Sequence, residues 1–235
     1  MKFKRVLLKL SGEQFAGSRG YGIDAKFVSD LAQELKDLSK NSGVQVAVVV
    51  GGGNIMRGAS IADHGVERAT GDYMGMLATI INGMALTDTL ESLGQPARLQ
   101  SSLRVDSVAE PFIRRRAMRH MEKGRVVVLA GGTGNPFFTT DTAAVKSALE
   151  LNCEVVLKAT KVDGVYDKDP AKHKSAKKYG SLTHAEALQN QEINVMDNAA
   201  VALAMDNRLP IIVFELKPGN LQKVVNGEAI GTNVS

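Results

Sequence analysis

The sequence predicts an α/β fold with a mostly parallel central sheet between helical layers. Three observations predict it. Strand-like and helix-like segments alternate along the chain, the order expected of βαβ units. Val44 to Val50 is an almost uninterrupted apolar run, as a strand covered on both faces requires. Glycine-rich segments follow several strands, where open α/β sheets carry their ligands.

Taken in order, Phe3 to Leu10 reads as the first strand. Asp24 is placed to cap a helix whose apolar face is Phe27, Val28, Leu31, Leu35 and Leu38. After the Val44 to Val50 strand, a long helix is expected from about Asp72 to Ser92. Ala97 to Gln100 reads as a short strand and Glu110 to Lys123 as a helix. Val126 to Ala130 is a strand, Thr140 to Leu151 a helix and Glu154 to Ala159 a strand. Helices near Thr183 to Asn190 and Met196 to Asn207 precede a strand at Ile211 to Phe214. No repeat, low-complexity tract or Pro- and Ser-rich linker divides the chain, so one domain over 1–235 is expected.

Composition narrows the function. The 235 residues are 44% hydrophobic and 23% charged, which is ordinary for a soluble globular protein. The apolar run Val46 to Val50, like every other in the chain, is far shorter than a membrane span. Met1 to Leu10 lacks the apolar region and cleavage site of a signal peptide. Cys153, the one cysteine, sits beside Val155, Val156 and Leu157 and reads as a small buried hydrophobe. A net charge of +4 suits anionic ligands. Arg114, Arg115, Arg116 and Arg119, like the Lys172 to Lys178 cluster, read as exposed faces, so nucleic acid is not the expected partner. His64, His120, His173 and His184 lack metal-ligand spacing. Met74, Met76 and Met84 read as core.

Four strand ends carry unusual chemistry. They are Lys9-Leu10-Ser11-Gly12, then Gly51-Gly52-Gly53-Asn54 with Arg57, then Gly131 to Asp141, and last Thr160 to Tyr166. Glycines let backbone approach a ligand and turn N–H groups toward phosphate oxygens, and Lys9 and Arg57 add positive charge there. Thr140 and Asp141 open a helix, whose N-terminus favours anions. Together these point to a phosphate-handling site. The generic motifs are absent. Gly53 to Ser60 has the Walker A glycine spacing, but Ala59 stands where the lysine belongs. No G-x-G-x-x-G follows a strand, and the protein-kinase motifs are missing.

Lys9-Leu10-Ser11-Gly12, the GGGN with Arg57, Gly71-Asp72 and Thr133 to Asp141 resemble the bacterial uridylate kinases of the amino-acid kinase superfamily. Lys158 to Tyr166 and Asp169-Pro170 extend the resemblance nearly end to end. It implies a three-layer α/β/α sandwich, the amino-acid kinase-like fold. It also implies transfer of the ATP γ-phosphate to UMP, with Mg²⁺ carried by ATP and no separate metal site. The part at about 1–150 is expected to bind UMP and the part at about 151–235 to bind ATP.

Carried over by position, the resemblance implies that Lys9, Leu10, Ser11, Gly12, Gly53 and Arg57 lie along the ATP phosphates. Thr160, Tyr166 and Asp169 match positions around the adenosine. Gly52 and Arg57 approach the UMP phosphate, Arg57 thereby serving both nucleotides, Asp72 accepts hydrogen bonds from the ribose, and Thr133, Gly134, Asn135, Pro136, Phe137, Phe138, Thr139 and Thr140 hold uracil and phosphate. Lys9, Arg57 and Asp141 are the implied catalytic residues, with Asp141 organising lysines or the metal shell. Lys158 is a further candidate, against the plainer reading of a lysine leaving a strand for solvent. Gly17, Ser18, Arg19, Gly20, Tyr21 and Gly22 match a segment linked to activation by GTP; inhibition by UTP, a homohexamer and a cytoplasmic location are implied as well. The rivals are another phosphotransferase of the superfamily and a non-catalytic nucleotide-binding or regulatory protein on the same fold.

Overall fold

The computed structural model describes residues 2–56, 65–190, 192–193 and 195–235. Among them a nine-stranded sheet runs in the order β4-β3-β5-β2-β1-β6-β8-β9-β7. The strands are β1 (Arg5–Leu10), β2 (Gln45–Val50), β3 (Ala97–Ser101), β4 (Glu110–Pro111), β5 (Val126–Ala130), β6 (Val155–Thr160), β7 (Ser181–Leu182), β8 (Ile211–Glu215) and β9 (Thr232–Val234). All ladders are parallel except β8 with β9.

Helices cover both faces. One face buries Val6, Leu8 and Leu10 of β1 with α2 (Ala25–Ser42), α3 (Arg68–Ser92) and α8 (Asn220–Asn226). The other buries Leu7 of β1 with α4 (Arg114–Glu122), α5 (Thr140–Glu150), α6 (His184–Gln189) and α7 (Asn198–Asp206). A short α1 (Gly12–Phe15) follows β1 directly. This is the expected three-layer arrangement, and it follows from strands that are apolar on both sides.

Several elements match the expectation closely. Asp24 caps α2, its carboxylate accepting from Lys26 N at 2.9 Å. Cys153 is buried, and burial pushes its thiol up to about 12, so it stays protonated and inert.

Others differ for identifiable reasons. The expected Glu110 to Lys123 helix begins at Arg114. Glu110 and Pro111 instead form an edge strand beside β3, because a residue before proline disfavours helix and an edge tolerates the missing N–H. The long helix starts at Arg68, four residues before Asp72, so Asp72 is not its cap. Its first turn is polar, which hides it from a hydrophobic period, and it is held by the Arg68–Asp72 ion pair at 3.0 Å. Met76 is buried but Met84 is 41% exposed, so the methionines are not one core stripe.

Candidate active site

The site sits at the carboxyl ends of β1, β2 and β6. In the parallel ladder of β1 with β6, Lys9 stands directly beside Lys158. Alternation puts both on the face where Leu7 and Val156 are core, so two lysines occupy inward positions at the strand ends. Helix α5 packs beneath β1 and β2 on that face and brings Asp141, in its first turn, between them. Asp141 Oδ1 meets Lys9 Nζ at 2.6 Å, and Oδ2 meets Lys158 Nζ at 3.0 Å. Lys158 also donates to the carbonyl of Val195 at 2.6 Å. Lys158 therefore turns inward and does not leave for solvent.

The electrostatics follow from burial. Burial pushes the Asp141 carboxyl up, but the ammoniums of Lys158 and Lys9 outweigh it and hold the group below its ordinary range. Burial lowers Lys158, and the Asp141 carboxylate offsets part of that. Asp141 is thus a poor proton acceptor and a good holder of two cations.

Above this triad lies a cleft of about 410 Å³. Its walls include Lys9, Ser11, Gly12, Gly52, Gly53, Asp72, Thr133, Asn135, Phe138, Thr139 and Thr140, residues far apart in sequence that the fold brings together. The glycines are required by close approach. A Cβ at Gly12 would overlap the Gly53 backbone nitrogen, and one at Gly52 would come within 2.6 Å of the Gly75 carbonyl on α3. Two turns and a helix meet here backbone to backbone.

The Gly131 to Thr140 segment forms the opposite wall. Gly131 N donates to Thr79 Oγ1 of α3 at 2.7 Å, and Phe137 N donates to Asp72 Oδ2 at 2.8 Å. Phe137 sits at φ 70 without being glycine, in a turn entered by Pro136. That backbone is disfavoured by roughly 1 kcal/mol for an L residue, and the hydrogen bond to Asp72 offsets it. The Phe137 ring is 68% exposed and does not line the cleft.

Some expected residues lie elsewhere. Leu10 is fully buried in the core and its carbonyl accepts from Gly51 N at 2.9 Å, so it has no side chain to offer a nucleotide. Thr160 lines a second cleft of about 280 Å³ with Glu13, Gln14, Gly17 and Leu216. Tyr166 and Asp169 line neither cleft; Tyr166 donates to Asp163 at 2.6 Å and Asp169 accepts from Ala171 N at 2.9 Å. Arg57 lies outside the described residues, as does His64.

Other members of the site escaped the sequence reading. Asp197 ties the start of α5 to the start of α7: it accepts from Thr139 Oγ1, from Thr142 Oγ1 at 2.9 Å and from Ala200 N at 2.9 Å. Its place before an apolar helix marks it as a cap. Nothing local marks Thr142, 55 residues away, as its partner.

Comparison with known proteins accords with this geometry. Residues 4–215 match the model of the amino acid kinase family. The crystal structure of a UMP kinase from Bacillus anthracis is 40% identical and superimposes with a TM-score of 0.94, over 100% of this chain and 97% of that one. A UMP kinase from Ureaplasma parvum is 34% identical, with a TM-score of 0.91 and full coverage of both chains. A uridylate kinase from Archaeoglobus fulgidus is 28% identical, with a TM-score of 0.74 over the whole of both. The chain belongs to the amino acid kinase family.

Proposed function

We propose that this protein is a UMP kinase, transferring the γ-phosphoryl group of ATP reversibly to UMP to give UDP and ADP. The observation that carries the reading is the buried Lys9–Asp141–Lys158 triad under a cleft walled by glycine turns. Two anions must meet in this reaction, so the protein's main tasks are to position them and offset their charge. A UMP phosphate oxygen attacks the γ-phosphorus, the bond to the β,γ-bridging oxygen breaks, and ADP leaves. Lys9 meets the charge that shifts in that step, and Arg57 adds positive charge. Asp141 is no general base, since the nucleophile is already ionised and the carboxylate is held by two ammoniums. Mg²⁺ would enter as part of the MgATP substrate and would supply further positive charge against the phosphates.

The acceptor lies against Asp72, Gly52 and the 133–140 loop, and ATP runs from Lys9, Ser11, Gly12 and Gly53 toward Thr160, Tyr166 and Asp169. On this reading the part at about 1–150 carries UMP and the part at about 151–235 carries much of ATP.

A coupled assay of ADP release, with UMP, CMP, dUMP and AMP offered separately, tests the function. UMP is expected to be turned over at least ~100-fold better than CMP, because donors and acceptors matched to uracil are left unpaired by cytosine. Equal turnover of UMP and CMP would count against it. Asp72→Asn should raise the KM for UMP about tenfold, the loss of one charged hydrogen bond, and leave the KM for ATP unchanged. The amide oxygen still accepts from Phe137 N, so the loop wall is kept; circular dichroism checks that the fold is intact. Equal weakening of both nucleotides would contradict the assignment.

The product UDP leads toward CTP, so the reaction belongs to de novo pyrimidine nucleotide biosynthesis, and its substrates imply a cytoplasmic location. Tyr73, Leu77, Ile81 and Met84 form an exposed apolar stripe on α3, which supports association between copies, and a homohexamer is the state proposed. Sedimentation measures that state. GTP as activator through the Gly17 to Gly22 segment, and UTP as inhibitor, are tested by titrating each at fixed UMP and ATP.

A further inference from the structure

Two buried asparagines outside the cleft hold its phosphate-facing turn. Asn54 is 4% exposed and Asn82 is 0% exposed, and neither lines the cleft. They face each other as a reciprocal amide pair. Asn54 Nδ2 donates to Asn82 Oδ1 at 3.0 Å, and Asn82 Nδ2 donates to Asn54 Oδ1 at 2.7 Å. The second hydrogen of each amide is also used. Asn82 Nδ2 donates to the carbonyl of Gly51 at 2.7 Å, and Asn54 Nδ2 to the carbonyl of Gly22 at 2.6 Å. Gly22 N returns a bond to the carbonyl of Asn54 at 2.9 Å.

The pair is fully satisfied, which is what a buried polar group needs to be tolerated in a core. Leu86 and Leu90, further along the buried face of α3, meet the core with apolar side chains, so burial alone does not call for an amide there. What the amide adds is direction. It links the middle of a rigid 25-residue helix to the Gly51 to Asn54 turn, and through Asn54 to the Gly20 to Gly22 turn. One helical turn earlier, Thr79 of the same helix holds the opposite wall through Gly131 N. Helix α3 thus sets the separation of the two walls.

We propose that Asn82, acting through Asn54 and the Gly51 carbonyl, is a positioning residue for phosphoryl transfer: it holds the glycine turn at the height the transferred group requires. The inference rests on the kinase reading above. A misplacement near 1 Å at such a turn is enough to cost about a hundredfold in rate, and the cost falls on the step that needs alignment.

The experiment measures kcat and both KM values for Asn82→Leu, which keeps the number and branching of side-chain heavy atoms but removes every hydrogen-bonding group, and for Asn82→Ser, a smaller second variant in case the first does not fold. Leu90→Ala, on the same helix but remote from the cleft, serves as a control of lowered stability. The expected result is a kcat lowered at least ~10-fold with each KM within about threefold, while Leu90→Ala keeps the wild-type kcat. The double variant Asn54→Ser, Asn82→Ser should lose no more than the worse single variant, since the two act as a unit. The proposal is overturned if folded Asn82 variants turn over within twofold of wild type, or if Leu90→Ala loses as much. Failure of the wild-type protein to phosphorylate UMP would instead sink the kinase reading.

Discussion

Lys9→Ala is expected to lower kcat at least ~100-fold, about 2.7 kcal/mol, with much smaller changes in either KM. Lys9 is the penultimate residue of β1, is 7% exposed, and lines the cleft. Its ammonium is oriented in advance by Asp141 at 2.6 Å, so it needs no reorganisation when charge moves toward the leaving ADP. Such a contact is stronger in the transition state than in the ground state, and its loss therefore falls on kcat. Steady-state kinetics with UMP and ATP varied independently is the check. A near-normal kcat in a folded variant would remove Lys9 from the catalytic role proposed for it.

Asp141→Asn should be costly twice over, in stability and in rate. The substitution leaves two nearly buried ammoniums facing each other without their shared counter-ion. Breaking a buried ion pair from one side costs about 3 kcal/mol, which for a chain of this length corresponds to a fall in Tm of roughly 6–10 °C. The pH dependence has a definite sign. The native carboxyl of Asp141 titrates below its ordinary value, so its contribution to stability is present above that ordinary value and lost as the pH falls through the depressed one. The gap in Tm between wild type and variant should therefore narrow in acid.

The rate effect has its own signature. Burial already lowers Lys158, and the carboxylate that offsets this is gone in the variant. Lys158 then loses its proton at lower pH, and the basic limb of the kcat profile should move toward neutrality. Calorimetry over a pH series and a kcat–pH profile measure both. A Tm gap that does not depend on pH would show that Asp141 does not hold the lysines as charged partners.

How much of this was legible in advance divides by range of interaction. The main strands and α2 follow from short apolar runs, from a period of 3.6 and from a single cap, all of which are local. The turns at Gly12 and Gly51 to Gly53 were readable too, since glycine after a strand is a local backbone requirement. The edge strand at Glu110 and the start of α3 were not, because a two-residue strand and a polar first turn leave no period to read. The site shows the same division. Lys9, Asp72, Asp141 and the 133–140 loop were picked out from residue type and resemblance. Lys158 stayed undecided, because a lysine near the end of an apolar strand looks the same whether it turns inward or outward.

Sequence by itself determined the class of chemistry: a parallel sheet whose strand ends carry glycine turns and cations for phosphates. The tertiary structure decided which charges are partners. Lys9 meets Lys158 through the register of β1 with β6, 149 positions apart, and Asp141 reaches both because α5 packs beneath those strands. Asn54 meets Asn82, and Asp197 meets Thr142, for the same reason. The reason is physical: an ion pair or a buried amide pair depends on distance in space, and chain order sets that distance only after the sheet register and helix packing are fixed.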